Sequence, residues 1–256
     1  NLVGVHDLGV QGGVYYVRMD YVDGADLASL GRGERPSPAL SLLIAEELAL
    51  ALDYVHRFSD EAGRPLGLVH RDVSPANVLL SRAGEVKLGD FGIAKATLLQ
   101  DVTRGNVRKG KYAYMSPEQI SGDDLSGQSD LFSLGVLLCE LLLGRRPFDA
   151  DPGSTPQAVM SRIRAADPAD LGLLGGLSIE LGGLLRRCLA RDPRHRHNSA
   201  AELAQALWRA RRAYPAVGPP DVAAYVASCL GVVPSPAPQP AQAPMDTAPY
   251  EVVPKQ

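Results

Sequence analysis

The sequence has few cysteines, no long apolar run and no excess of one charge, and each lack excludes a class of protein. Three cysteines occur in 256 residues. Cys139, Cys188 and Cys229 lie far apart and outside any CxxC spacing, so neither a disulfide framework nor a zinc site is indicated. Isolated thiols of this kind are typical of buried, unreactive positions in a reducing compartment.

Membrane and nucleic-acid classes are disfavoured in the same way. The longest apolar run, residues 131–144, contains Glu140 and is shorter than the roughly 20 residues that a membrane span requires. The N-terminus shows no basic region followed by an apolar block, so no secretory signal is visible. The formal charge of −3 provides no overall field for nucleic acid or an anionic membrane. We predict a cytoplasmic domain without nucleic acid or a membrane segment in this chain, although the full-length protein could be anchored beyond Gln256.

The chain begins with two short runs of β-branched and aromatic residues. Residues 2–8 and 14–22 flank a Gly-rich turn and predict a hairpin. Gly9, Gly12 and Gly13 do not fit a GxGxxG spacing, so the turn is not a phosphate cradle.

Most of the remaining sequence has helical periodicity. A long helix is predicted over 38–58, with Ser37 as N-cap and Pro38 at the first helical position. Shorter helices are predicted at 129–144, 156–166, 178–190, 199–213 and 221–230. Ser199 with Glu202 three residues later indicates a capping box. The Pro- and Ala-rich segment that follows has too few large apolar side chains to offset the entropy of folding.

Two loops carry side chains that could bind a metal ion or accept a proton. They are "HRDVSPANVLL" at 70–80 and "LGDFGIAKA" at 88–96, which supply Asp72, Asn77 and Asp90. Carboxylate and amide oxygens suit Mg²⁺ held together with substrate phosphates, and a further carboxylate can accept a hydroxyl proton.

The order of these motifs is more specific than any one of them. HRD, an Asn five residues after its Asp, DFG, and MSPE at residues 115–118 follow one another. The chain resembles a eukaryotic-type (bacterial, Hanks-type) serine/threonine protein kinase over residues 1 to about 212. The resemblance implies ATP, Mg²⁺ and protein substrates with Ser or Thr hydroxyls.

The same resemblance implies an α+β, protein-kinase-like fold. We expect a mainly helical C-terminal lobe with a remnant of the N-terminal lobe, namely two strands and the hinge. The expected units are 1–22 for that remnant, 23–213 for the C-lobe, 214–232 for an extra helix, and 233–256 for a disordered linker or tail.

By resemblance, Asp72 is the group that orients the substrate hydroxyl and accepts its proton, with Asn77 and Asp90 as metal ligands. His70 and Phe91 of the DFG motif, which Gly92 completes, are expected to stack beneath the site.

Three further residues are assigned structural roles by the resemblance. Asp130 is expected to hold the backbone of the catalytic loop. Glu118 and Arg196 are expected to form a buried ion pair that ties the activation segment to the lower lobe.

The nucleotide end of the site is assigned in the same way. Met19 is expected at the gatekeeper position, the backbone of Asp20 and Val22 facing adenine, and Asp26 beside a ribose hydroxyl. Leu79 is expected to form the apolar floor under the adenine.

Three parts of the family's nucleotide site are absent from the sequence: a Gly-rich loop, a strand lysine and its partner glutamate. Either the given sequence is a truncated part of an ordinary kinase, or the protein is a non-catalytic, pseudokinase-like scaffold. We favour truncation because the base and metal positions are intact.

Two positions depart from the family in a complementary way. Ser74 stands where the family usually has Lys, and Lys111 stands where it usually has Thr. We hypothesise that Lys111 supplies the missing cation and Ser74 the hydrogen bond; the alternative is a solvent-facing Lys111 and a simple loss at Ser74.

Regulation is suggested by the arginine of HRD. Arg71 indicates control by phosphorylation of the loop from 93 to 115, with Thr97 and Thr103 as the candidate hydroxyls. Self-association of two copies is a route to that phosphorylation.

Overall fold

The computed structural model describes residues 1–11, 14–31, 33–90, 111–148, 155–165 and 172–231. Within these ranges the chain forms two small sheets and a larger group of helices.

The predicted hairpin is confirmed. Strands β1 (Val5–Gln11) and β2 (Val14–Met19) pair antiparallel, with Leu8 opposite Val17. Several of its large apolar side chains are exposed, and Leu8 is 68% exposed.

A second sheet lies next to the catalytic loop. It contains β3 (Gly24–Asp26), β4 (Val78–Ser81) and β5 (Val86–Leu88), all antiparallel in the order β3-β4-β5. A Cβ at Gly24 would lie 1.9 Å from the Leu80 carbonyl oxygen, so only glycine permits this approach of β3 to β4. The chain start joins the same sheet, because Val3 N donates to Leu88 O at 3.0 Å.

Eight α-helices occur in the described ranges. They are α1 (Leu27–Leu30), α2 (Pro38–His56), α3 (Pro117–Ser121), α4 (Gly127–Leu143), α5 (Pro156–Arg164), α6 (Ile179–Cys188), α7 (Ala200–Arg211) and α8 (Pro219–Leu230). The six helices predicted at 38–58, 129–144, 156–166, 178–190, 199–213 and 221–230 are thus confirmed, with ends shifted by up to two residues.

The core is built around α2 and α4, whose residues are buried on nearly every side. Ser37 Oγ accepts from Leu40 N at 3.2 Å and begins α2 as predicted. Helices α4 and α7 both pack against α2. Gly135 allows α4 to approach α6, since a Cβ there would lie 2.6 Å from the Cβ of Cys188.

The predicted capping box at α7 is half wrong. Ser199 Oγ accepts from Glu202 N at 3.1 Å, as a box requires. The Glu202 carboxylate, however, accepts from Asn198 N at 2.7 Å and pairs with Arg187 at 2.5 Å. In a capping box, the backbone N–H of Ser199 would donate to the Glu202 carboxylate. Here the Glu202 carboxylate contacts Asn198 N and the Arg187 side chain instead.

Helix α8 packs on β4 and α1, outside the kinase-like region predicted from the motifs. Val222, Tyr225 and Val226 are its buried contacts.

The cysteines are free, with Cys139 and Cys188 buried and Cys229 partly so. Burial raises the pKa of the Cys188 thiol to about 12, which fits the prediction of unreactive thiols. No helix among the described residues has the length and hydropathy needed to cross a membrane.

Candidate active site

One buried carboxylate fixes the backbone of the loop that begins at His70. Asp130, in the first turn of α4, accepts from His70 N and Arg71 N, each at 2.8 Å. His56 Nε2, at the end of α2, lies 2.8 Å from the same carboxylate. Two core helices and the loop therefore meet at Asp130, which is 1% exposed.

Arg71 occupies a strained backbone conformation within this loop. Its φ is 68°, which non-glycine residues adopt at a cost of order 1–3 kcal/mol. The Asp130 contact holds its N–H, and Gln119 Nε2 of α3 donates to its carbonyl oxygen at 2.9 Å. The surrounding structure thus imposes the strain and links α3 to the loop.

His70 connects the HRD loop to the residue before Asp90. Its Nε2 lies 3.2 Å from Gly89 O, and Asp72 N donates to its Nδ1 at 3.3 Å. Burial lowers the pKa of His70 despite the nearby carboxylates. A neutral ring that donates from Nε2 and accepts at Nδ1 satisfies both contacts.

Asp72, Asn77 and Asp90 are brought together by a short chain of hydrogen bonds. Asn77 Nδ2 donates to the Asp72 carbonyl oxygen and to its Oδ2, both at 2.7 Å. Gly89 N donates to Asn77 O at 2.9 Å, which places Asp90 one residue from that contact. Asp90 is exposed and has a φ of 56°.

The donor set fits Mg²⁺ with bound phosphates. Both Nδ2 contacts of Asn77 go to Asp72, so these bonds do not use the Asn77 Oδ1, an oxygen of the kind that could hold Mg²⁺. No group of three or more His, Cys, Asp or Glu side chains with metal-binding geometry occurs in the described ranges. Mg²⁺ sites of this type need only one or two protein ligands, because substrate phosphates and water complete the shell.

The residues predicted to bind adenosine run from Met19, at the end of β2, to Asp26, at the end of β3. Asp26 faces Leu79 across the β3–β4 pair, and Leu79 faces Lys87 on β5. Both carboxylate oxygens of Asp26 already accept from Ser29, at 2.9 and 2.7 Å, and so cap α1. A carboxylate has further lone pairs, so this capping is compatible with one more donor.

The hinge also contacts the chain start. Asp20 N donates to Gly4 O at 2.8 Å, and the Asp20 carboxylate accepts from Gly4 N and lies 2.6 Å from His6 Nε2. Met19 is half-exposed, at 47%, and Val22 is partly buried.

The structure describes one side of the predicted Ser74–Lys111 exchange. Ser74 is 3% exposed, and its Oγ has no hydrogen-bond partner within the described ranges. Lys111 begins a one-turn 3-10 helix, Lys111–Tyr114, but its side chain lies outside the described part. Phe91, Gly92, Thr97 and Thr103 also lie outside the described residues.

Glu118 and Arg196 form a bidentate pair in the interior. The Nη1–Oε1 and Nη2–Oε2 distances are 2.6 and 2.9 Å, and Ser129 Oγ donates to Glu118 at 2.7 Å. The Arg196 guanidinium lies 4.9 Å from the centre of the Phe132 ring. Burial alone would raise the pKa of Glu118, but the hydrogen bonds and charge of Arg196 hold it below its ordinary value.

Motif reading missed several residues that shape this site. His56 and Gln119 contact the loop through Asp130 and Arg71, and Tyr114 donates a hydrogen bond to Glu140. Each contact joins residues far apart in sequence, and His56, Gln119 and Tyr114 lie outside the motifs. A histidine ending a long helix just before HRD is the only local signal for His56.

Comparisons with known proteins agree with this arrangement. The protein kinase domain family matches residues 1–209. The tyrosine-protein kinase MasK of Myxococcus xanthus is 38% identical over 81% of this chain and 32% of its own length. The serine/threonine-protein kinase PknJ of Mycobacterium tuberculosis is 35% identical over 91% of this chain and 39% of its own length.

A solved kinase domain shares the fold. The crystal structure of the Mycobacterium tuberculosis PknI kinase domain superimposes with a TM-score of 0.57 at 30% identity, covering 81% of this chain and 71% of that one. The chain spans about a third of the length of the curated relatives it matches. Since the family match covers most of the chain and the fold is shared, the chain belongs to the protein kinase family, in its bacterial eukaryotic-type branch.

Proposed function

We propose that this protein transfers the γ-phosphoryl group of ATP to serine or threonine hydroxyls of proteins. The observation that carries the proposal is the chain of hydrogen bonds from Asp72 through Asn77 to Gly89, the residue before Asp90. A proton acceptor and two hard oxygen ligands on neighbouring loops are what phosphoryl transfer needs from the protein. We place the domain in the cytoplasm, where ATP is present and free thiols stay reduced.

Asp72 is proposed as the residue that orients the acceptor hydroxyl and takes its proton. Its carboxylate is 7% exposed and accepts from Asn77 Nδ2 through Oδ2. The Asn77 contact fixes the plane of the carboxylate before substrate arrives, so little reorganisation is required during the reaction.

Asn77 Oδ1 and the Asp90 carboxylate are proposed to hold Mg²⁺ with ATP. When bound, the metal neutralises charge on the phosphates. For the adenosine we propose the backbone of Asp20 and Val22, Met19 as gatekeeper and Leu79 as the apolar floor, with Asp26 towards the ribose. The β3–β4 pairing of Asp26 with Leu79 supports that placement.

Lys111 is proposed to supply the cation that Ser74 cannot. The buried Ser74 hydroxyl, which has no described hydrogen-bond partner, is a donor that a neighbouring side chain or substrate oxygen can satisfy. A lysine next to Asp72 would stabilise charge on the transferring group.

Control by phosphorylation of Thr97 or Thr103 is also proposed, with the exposed Arg71 as the phosphate-binding side chain and trans-phosphorylation between two copies. We also propose that the chain divides into an N-lobe remnant at 1–22, a C-lobe at 23–213, an extra helix at 214–232 and a linker or tail at 233–256.

Tyrosine is a second candidate acceptor, because MasK, the 38% identical relative, is named a tyrosine-protein kinase. The non-catalytic, pseudokinase-like scaffold is the third candidate.

Radiolabelled ATP and phosphoamino-acid analysis of the full-length protein separate the three candidates. We expect phosphoserine or phosphothreonine, reduced about 10² to 10⁴-fold in Asp72→Asn. Phosphotyrosine alone would favour the second candidate, and label that is equal in wild type and Asp72→Asn would refute the enzyme proposal.

A further inference from the structure

A basic groove lies away from the residues assigned to phosphoryl transfer. It has a volume of about 1050 Å³ and is bounded by α3, the end of α5, α6 and the turn at residues 190–195. Four arginines line it: Arg164, Arg186, Arg187 and Arg191. The whole chain has a net charge of −3, so this local excess of arginine is not a reflection of overall composition.

Part of the charge in the groove is already neutralised. Arg187 pairs with Glu202 at 2.5 Å, and the lining residue Asp192 pairs with Arg194 at 2.7 Å. Glu118, which reaches the groove, is neutralised by Arg196. Arg187, Asp192 and Glu118 are therefore already paired and add no net charge to the groove.

The remaining arginines are exposed. Arg164 Nη2 donates to Ile120 O at 3.1 Å, which fixes this side chain in the groove wall. A guanidinium has five N–H donors, so further donors of Arg164 are available to a ligand. Within the described ranges, neither Arg186 nor Arg191 forms a salt bridge. Asp123 is the acidic lining residue that stays without a described cation, so positive charge dominates.

The turn that carries Arg191 is rigid. Arg196 Nε donates to Ala190 O at 2.9 Å, and its Nη2 donates to Arg191 O at 3.2 Å. Because Arg196 is also locked to Glu118, the turn is fixed to a buried ion pair. A pre-formed wall loses little conformational entropy when a ligand binds.

We propose that this groove binds an acidic segment of a partner protein, through carboxylate or phosphate groups that contact Arg164, Arg186 and Arg191. Arginine clusters recognise such groups through paired N–H donors. The volume of about 1050 Å³ is slightly above the roughly 300–1000 Å³ of small-molecule sites, and Pro117, Ala165 and Pro193 provide apolar wall for a peptide.

Other anionic ligands fit less well. Asp123, which has no described cation, lines the same groove and would repel a continuous phosphodiester backbone. A single small anion would leave most of the volume unfilled. The inference goes beyond the proposed function, because it involves no residue of the phosphoryl-transfer site.

Fluorescence anisotropy of labelled peptides tests the proposal on the full-length protein. Three peptides share one neutral scaffold and carry glutamates, phosphoserines or neither. We expect an anionic peptide to bind and the neutral one not to bind. The double variant Arg186→Gln/Arg191→Gln should raise the dissociation constant about tenfold or more, since each lost charged hydrogen bond is worth roughly a factor of ten. Arg209→Gln, an exposed arginine on α7 outside the groove, is the matched control.

The outcomes are distinguishable. Binding of either anionic peptide that weakens in the double variant and not in Arg209→Gln supports the proposal, and the two peptides identify carboxylate or phosphate as the preferred group. Equal binding to all variants, tighter binding of a single-stranded oligonucleotide, or displacement by inorganic phosphate alone would overturn it. A lower melting temperature with unchanged peptide binding would show that the arginines only complement the C-terminal ends of α5 and α6.

Discussion

Replacing Arg196 with alanine should destabilise the fold, and the structure explains why. The guanidinium makes five hydrogen bonds to groups of the interior, two of them to Glu118. Its side chain is fully buried, and that of Glu118 is 7% exposed. Without Arg196, the Glu118 carboxylate keeps Ser129 as a donor but loses its only described cation within 4 Å.

Removing one partner of a buried ion pair costs about 3–5 kcal/mol. For a domain of this size, we expect the melting temperature to fall by about 6–20 °C. Urea unfolding and a thermal scan of wild type and Arg196→Ala measure the effect. Arg194→Ala is the matched control: Arg194 also pairs with an aspartate, but its side chain is 87% exposed, so no measurable loss is expected.

The pH dependence tests the same reasoning independently. The folded-state pKa of Glu118 lies below its ordinary value of 4.5, so the pair stabilises the fold above that value and less as the pH falls through the folded pKa. The difference in stability between wild type and Arg196→Ala should therefore narrow in acid. An unchanged melting temperature in Arg196→Ala, or a gap that widens in acid, would refute the account of the pair.

Three further predictions follow from other contacts. Lys111→Ala should lower the rate of phosphoryl transfer by roughly 10²-fold or more; a wild-type rate in steady-state kinetics would exclude the exchange with Ser74. Gly135→Ala places a Cβ against Cys188 and should cost about 1–3 kcal/mol of unfolding free energy, whereas the exposed Gly176→Ala is the control for urea unfolding. Burial lowers the pKa of His70 below 6.5, so stability should fall as the pH drops below that value; His70→Gln should weaken this dependence, and an identical pH profile by thermal scan would contradict it.

The helices were predictable from local sequence signals, whereas the roles of the motif residues were predictable only from the family resemblance. Helix α2 was predictable because its apolar period and its Ser37–Pro38 start are local signals. Asp130 and Arg196 were identified by a family pattern, and their contacts could not have been derived from spacing alone.

The missed contacts are non-local. The capping box at Ser199 was wrong in part because Arg187, on another helix, competes for Glu202. His56 and Asp130 are 74 positions apart and meet only after α2 packs on α4. The capping of α1 by Asp26 is a local contact with Ser29, three residues later, and was not predicted.

The central claim is that Asp90 binds metal–nucleotide while Asp72 acts on the acceptor hydroxyl. Thermal shift with Mg²⁺ and ATP, measured beside phosphoryl transfer for wild type, Asp90→Asn and Asp72→Asn of the full-length protein, tests it most directly. The account predicts that Asp90→Asn loses both the shift and the transfer, whereas Asp72→Asn keeps the shift and loses the transfer. A normal Mg·ATP shift in Asp90→Asn, or full transfer by Asp72→Asn, would contradict it.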